Sequence, residues 1–125
     1  MIPLAIAFIL LRCGLAFVFV FAGMDKLLHW RESVDEVTGL GLPIPALFSA
    51  ATIGTQLVCG LMVATGYGAL PGALALAGFT VLATILGHRF WLLRGQPARR
   101  EFTTALEHVA ITSGLLLLAL NQVTA

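Results

Sequence analysis

The sequence predicts an all-α protein, a four-helix transmembrane bundle with a short interfacial helix between the first and second spans. Three observations carry that expectation. Of 125 residues, 59% are apolar and only 10% are charged, far from the balance of a water-soluble domain. Four uninterrupted apolar runs, approximately 2–24, 44–66, 68–87 and 102–120, each supply the roughly 20 residues that cross a hydrocarbon core about 30 Å thick. Between them stand short segments rich in Gly, Pro and charge. The chain reads as a single transmembrane domain, residues 1–125.

The first run ends at Val20-Phe21-Ala22-Gly23-Met24, where the adjacent charges of Asp25 and Lys26 mark its exit from hydrocarbon. It has no basic residue ahead of it and no cleavage site after it, so it reads as a mature helix and not a secretory signal. From His29 to Pro43, Ser33 and Glu36 form a capping-box pattern, and Val34, Val37 and Leu40 can rest on a membrane surface. A surface helix of one or two turns is expected there.

Pro45 suits the first turn of the second span, and Pro71 that of the third, because a missing amide hydrogen costs nothing at these positions. Gly66-Tyr67-Gly68 is a tight turn that makes those two spans antiparallel neighbours. Small residues along them, including Gly54, Gly60, Gly72 and Gly78, let backbones approach closely. Leu92 to Glu101, with Arg94, Arg99 and Arg100 beside Gly95 and Pro97, reads as a loop before the fourth span. Trp30 and Trp91 fit an interfacial belt at one membrane face, and Tyr67 fits the other.

Charge placement gives an orientation. Lys26, Arg31, Arg89, Arg94, Arg99 and Arg100 all belong to one end of the bundle, while the opposite turn and both tails carry no Lys or Arg. Loops 25–43 and 88–101 are therefore expected in the cytoplasm and both termini on the external or periplasmic side. A net charge of +1 without a basic stripe gives no reason to expect a nucleic-acid partner.

Ionisable groups within the spans point to the candidate site, since each costs about 2.5 to 3.5 kcal/mol in hydrocarbon even on lenient scales. Counting helical rise puts Arg12 about 15 Å below the external surface, Gln56 at nearly that depth, and Glu107 about 7 to 8 Å in from the other side. A buried polar cluster of Arg12, Gln56 and Glu107 is thus expected, either as a clamp between helices or as a site for a ligand or proton. Lys26, His88, Trp91 and His108 can line a quinone head-group site at the edge of a greasy cleft. Interfacial anchoring is the competing use of the same residues. A bis-histidine haem is disfavoured, because His88 and His108 count to depths about 9 Å apart. The spacing of Cys and His suggests no metal site. Cys13 and Cys59 count to depths about 6 Å apart before lateral distance is added, so they read as unbridged, buried apolar side chains. No nucleophile-and-base pair or phosphate loop is present, and no catalytic residue is assigned.

The order of features resembles the DoxX family of small four-helix membrane proteins over about residues 8–121. The resemblance rests on Leu10-Leu11-Arg12 leading to Phe21-Ala22-Gly23 and Lys26, on Gly39-Leu40-Gly41-Leu42-Pro43, on Gln56 to Leu61, on the polar end of the third span, and on Ser113 to Ala119. Related proteins often carry an acidic residue where Gln56 stands, so Glu107 is the candidate source of that charge. The family resemblance implies association with membrane oxidoreductases, including a thiosulfate:quinone oxidoreductase subunit. It points to an accessory, non-catalytic subunit in the cytoplasmic (inner) membrane of a bacterium, with lipid and protein partners. A quinone-reducing subunit and, less favoured, a small transporter are the alternatives.

Overall fold

The computed structural model describes residues 3–124, and the described residues are helical with short connections. Four helices are long and apolar enough to cross a membrane: α1 (Leu4–Leu28), α3 (Pro45–Thr65), the third crossing and α5 (Gly95–Thr124). The third crossing, α4, runs Ala69–Gly87. The short α2 (Trp30–Gly39) stands between the first two.

Each helix starts and stops for a local reason. Pro45 opens α3 at its first turn, where no amide hydrogen is required. Gly66, with φ 85°, ends α3 in the left-handed conformation that suits glycine, and Gly68, with φ 69°, starts α4. The fourth crossing starts at Gly95 and not at Phe102, so the basic stretch Arg99-Arg100 lies on the first turns of α5 instead of in a loop. Pro97 sits in that first turn, where it breaks no hydrogen bond, and so does not end the helix as its loop-like neighbours suggest.

Helix α2 also departs from the sequence expectation. It begins at Trp30, with His29 as its N-cap and no side-chain capping bond. Ser33 lies inside the helix and is buried, so the Ser33 and Glu36 capping box does not form.

Neighbouring crossings pack in chain order: α1 on α3, α3 on α4, and α4 most extensively on α5, while α1 meets α5 only sparsely. The common core contains Ala16 and Phe19 of α1, Val63 of α3, Ala73, Leu76 and Ala77 of α4, and Leu115 and Ala119 of α5. Small residues set the spacing. A Cβ on Gly72 would lie 3.0 Å from Met62 Cβ and 3.2 Å from the carbonyl oxygen of Cys59, so α3 and α4 touch nearly backbone to backbone. The outward side chains of the bundle, such as Phe17, Leu47, Leu82 and Leu117, are large, apolar and exposed, as lipid-facing positions require.

Helix α1 is offset along the bundle. Gly23 packs on Gln56 and Leu57, Gly60 on Val20, and Gly66 on Arg12, so the Gly66–Gly68 turn comes level with Arg12 and not with the start of α1. The first two turns of α1 extend past that turn. At the opposite, basic end, α1 stops short and α2 packs beside the start of α3.

Candidate functional site

The expected cluster of Arg12, Gln56 and Glu107 does not form. Arg12 reaches the Gly66 turn, where a Cβ on Gly66 would come 3.2 Å from its Nη2. There the guanidinium faces the C-terminus of α3, whose dipole favours a cation. Gln56 lies about three turns further toward the basic end, buried against Gly23. Glu107 is exposed on α5. The cause is the offset of α1: depths counted from flush helix ends place Arg12 too deep. The Nε of Arg12 and the Oε1 of Gln56 are both buried without a hydrogen-bond partner.

Of the residues expected at the edge of a cleft, the structure unites two. The rings of His88 and His108 meet edge to face with centroids 4.9 Å apart, closer than their counted depths imply. His88 lies just beyond the last residue of α4, in non-helical geometry, and its ring packs against α5. Lys26 belongs to α1, whose backbone makes no close approach to that of α4 among the described residues, and is not part of this group. Trp91 stacks edge-on against Phe90 in the turn Phe90–Leu92 and is exposed.

Two further residues hold the histidines. Nδ1 of His88 lies 2.6 Å from Oε2 of Glu101, and Nδ1 of His108 lies 2.8 Å from Oγ1 of Thr84. The Thr84 hydroxyl donates its one proton to the carbonyl of Thr80 at 2.7 Å, so toward His108 it accepts. His108 therefore carries its proton on Nδ1 and, when neutral, leaves Nε2 as an acceptor. Thr84 stands four residues before His88, which follows the end of α4, and Glu101, His108 and Thr112 recur at helical spacing on α5. That periodicity is the sequence signal for the missed partners.

The His108 ring lines a shallow groove of about 220 Å³ between α4 and α5. Its apolar walls are Val81, Ile85, Ala105 and Val109, and its polar groups are Thr84, His108, Thr112 and Ser113. Thr112 and Ser113 make no side-chain hydrogen bond among the described residues, so their hydroxyl protons are free to meet a ligand. Phe102 continues the face of Ala105 and Val109 toward the basic end and stacks on Phe90 with centroids 5.0 Å apart. The groove thus offers one acceptor and two donors on an apolar slot.

A DoxX family model matches residues 7–89. The chain belongs to the DoxX family. The matched part contains Arg12, Gln56 and His88 and stops before α5, which supplies Glu101 and His108 to this DoxX protein. A curated relative, Inner membrane protein YphA of Escherichia coli (strain K12), is 22% identical over 110 residues, covering 88% of this DoxX chain and 79% of that protein. No solved structure matches it.

Other reactive groups of this DoxX protein lie apart. Cys13 is exposed on α1 and not buried, and both cysteines are free. His29, at the corner between α1 and α2, has Nδ1 3.0 Å from the carbonyl oxygen of Asp25 and 3.3 Å from that residue's carboxylate. That carbonyl first, and the carboxylate charge second, push its pKa above the ordinary 6.5. Because the folded value is raised, the stabilisation of this corner is complete below pH 6.5 and fades as pH rises through the raised value. An NMR titration should place the His29 midpoint above 6.5, and Asp25→Asn should lower it without abolishing the carbonyl bond. A wild-type midpoint at or below 6.5 contradicts the geometry.

Proposed function

We propose that this protein is an accessory or anchoring subunit of a membrane-bound oxidoreductase complex that lends the α4–α5 groove to a quinone head group. The observation that carries this reading is the His108 ring in an apolar, lipid-side groove with its tautomer set by Thr84. A quinol hydroxyl needs an acceptor, which Nε2 supplies, and a quinone carbonyl needs a donor, which Thr112 or Ser113 supplies. The isoprenoid tail runs out of the open groove over Val81 and Val109, both exposed. The described residues carry little material outside the crossings, which supports a partner as the source of the electron donor. The family supports such an association, and fold alone carries less weight.

The location that fits is the cytoplasmic (inner) membrane of a bacterium, in line with the printed name of the YphA relative. All the Lys and Arg residues except Arg12 lie at the end bearing α2 and the start of α5, which supports a reading with that end in the cytoplasm and both termini outside. In this placement α2 rests at the interface, with Trp30 and Trp91 at headgroup level. The His88–Glu101 pair favours a second reading, in which the chain relays protons for quinone chemistry whose electrons come from the partner.

Copurification from native membrane in mild detergent, followed by mass spectrometry, tests the subunit role. A stoichiometric redox protein and bound quinone are the expected result. A protein that emerges alone and quinone-free contradicts it.

A further inference from the structure

A cavity of about 370 Å³ lies at the basic end of the bundle, against the first turns of α5. Gln96, Arg99, Arg100, Thr103 and Thr104 line it, one face of the helix at spacings of three and four residues. It shares no residue with the α4–α5 groove, whose Ala105, His108 and Thr112 stand on the other side of α5. Neither guanidinium has an anionic partner, since among the described residues the ion pairs are His29 with Asp25 and His88 with Glu101. Glu101, next to Arg100 in the chain, is thus turned toward His88. Glu107 comes about one turn past Thr103, separated from Arg100 by about 10 Å of axial rise, and does not line the cavity. Helix stability does not account for the two arginines either: α5 has no acid in its first turn, and the positive end of its dipole gives a nearby cation no gain.

The hydroxyl protons of the cavity are already used. Thr103 donates to the carbonyl of Arg99 at 2.9 Å and Thr104 to that of Arg100 at 3.0 Å, so toward the cavity both oxygens accept. The lining therefore combines two cationic donors with two hydroxyl acceptors and contains no carboxylate. Trp91 before it and Leu106 after it are both exposed, the level at which hydrocarbon gives way to headgroups. We propose that this cavity binds the headgroup of an anionic phosphodiester lipid of the phosphatidylglycerol type. The phosphate accepts from Arg99 and Arg100, and the glycerol hydroxyls donate to Thr103 and Thr104. The acyl chains run over Leu106, Ala110 and Leu117, exposed residues that carry this side of α5 on into hydrocarbon. A zwitterionic lipid offers the same phosphate with a cation attached, which the two guanidiniums meet as a like charge. The site does not depend on the quinone groove.

The test is competitive lipid retention by the purified full-length protein, read by native mass spectrometry after incubation with mixed vesicles of phosphatidylglycerol, phosphatidylethanolamine and phosphatidylcholine. Phosphatidylglycerol should be retained about tenfold over each of the others, the worth of one charged hydrogen bond. Arg99→Gln combined with Arg100→Gln should bring the three lipids to parity. Lys26→Gln combined with Arg31→Gln removes the same charge from the same end outside the cavity and should leave the preference intact. Wild-type protein also reports without any variant: retention should survive millimolar inorganic phosphate, because the acyl chains hold a lipid where a free anion has only the arginines. Equal retention of the three lipids by the wild type, or equal loss of preference in both double variants, would overturn the proposal. So would displacement of the lipid by inorganic phosphate, which would make the cavity a site for a free anion.

Discussion

Gly72→Val should cost the bundle about 3 kcal/mol, the upper range for forcing extra volume into a packed interface. The added carbon would meet Met62 Cβ at 3.0 Å and the Cys59 carbonyl oxygen at 3.2 Å. Neither can rotate away, because one is the first side-chain atom of its residue and the other is backbone. Relief requires α3 and α4 to separate, which loosens the packing of Val63, Ala73 and Leu76 in the shared core. Gly78→Val is the control, because a Cβ there meets nothing within 4 Å, and its effect should stay within about 0.5 kcal/mol. Thermal unfolding of the two variants in detergent measures the difference. Equal stability of both would show that α3 and α4 are not packed at Gly72.

His108→Leu should weaken quinone binding by about tenfold to a hundredfold, as loss of one hydrogen-bonding group from a largely apolar site does. The leucine keeps apolar volume in the groove and removes Nε2, so affinity should fall while the melting temperature moves little. Thr84 keeps its bond to the Thr80 carbonyl in the variant, which limits the structural cost. Glu101→Gln acts one ring further away, through His88, and its effect should be smaller, about threefold. Titration with a short-chain quinone in detergent reads all of these. Unchanged affinity in His108→Leu would remove His108 from the site.

The crossings were legible because an apolar run of sufficient length has few other uses, and the proline and glycine positions correctly marked where α3 and α4 begin. Residues 95–101 were not, because Gly95, Pro97 and two arginines carry the composition of a loop. Only the permitted place of Pro97 in a first turn lets the helix extend there. The site was half legible. His88 and His108 stand out by residue type, but counted depths overstate their separation, since axial rise says nothing of a ring that turns back from beyond a helix end. Arg12 and Gln56 share a depth only if the helices start level. The offset of α1 shows in the packing of Gly23 on Gln56 and of Gly66 on Arg12, a tertiary register that no periodicity within α1 encodes.

Tyr67, 84% exposed at the Gly66–Gly68 turn, and Trp91 at the opposite end bracket the groove along the bundle. The groove lies nearer Trp91, within reach of a head group that enters from the basic end. Photolabelling with a quinone bearing a photoreactive ring substituent, followed by peptide mapping, tests the central claim most directly. The account predicts labels on Val81, Ile85 and Val109, suppressed by excess unlabelled quinone and absent in His108→Leu. Labels confined to α1, or spread evenly over the lipid-facing surface without competition, would contradict it.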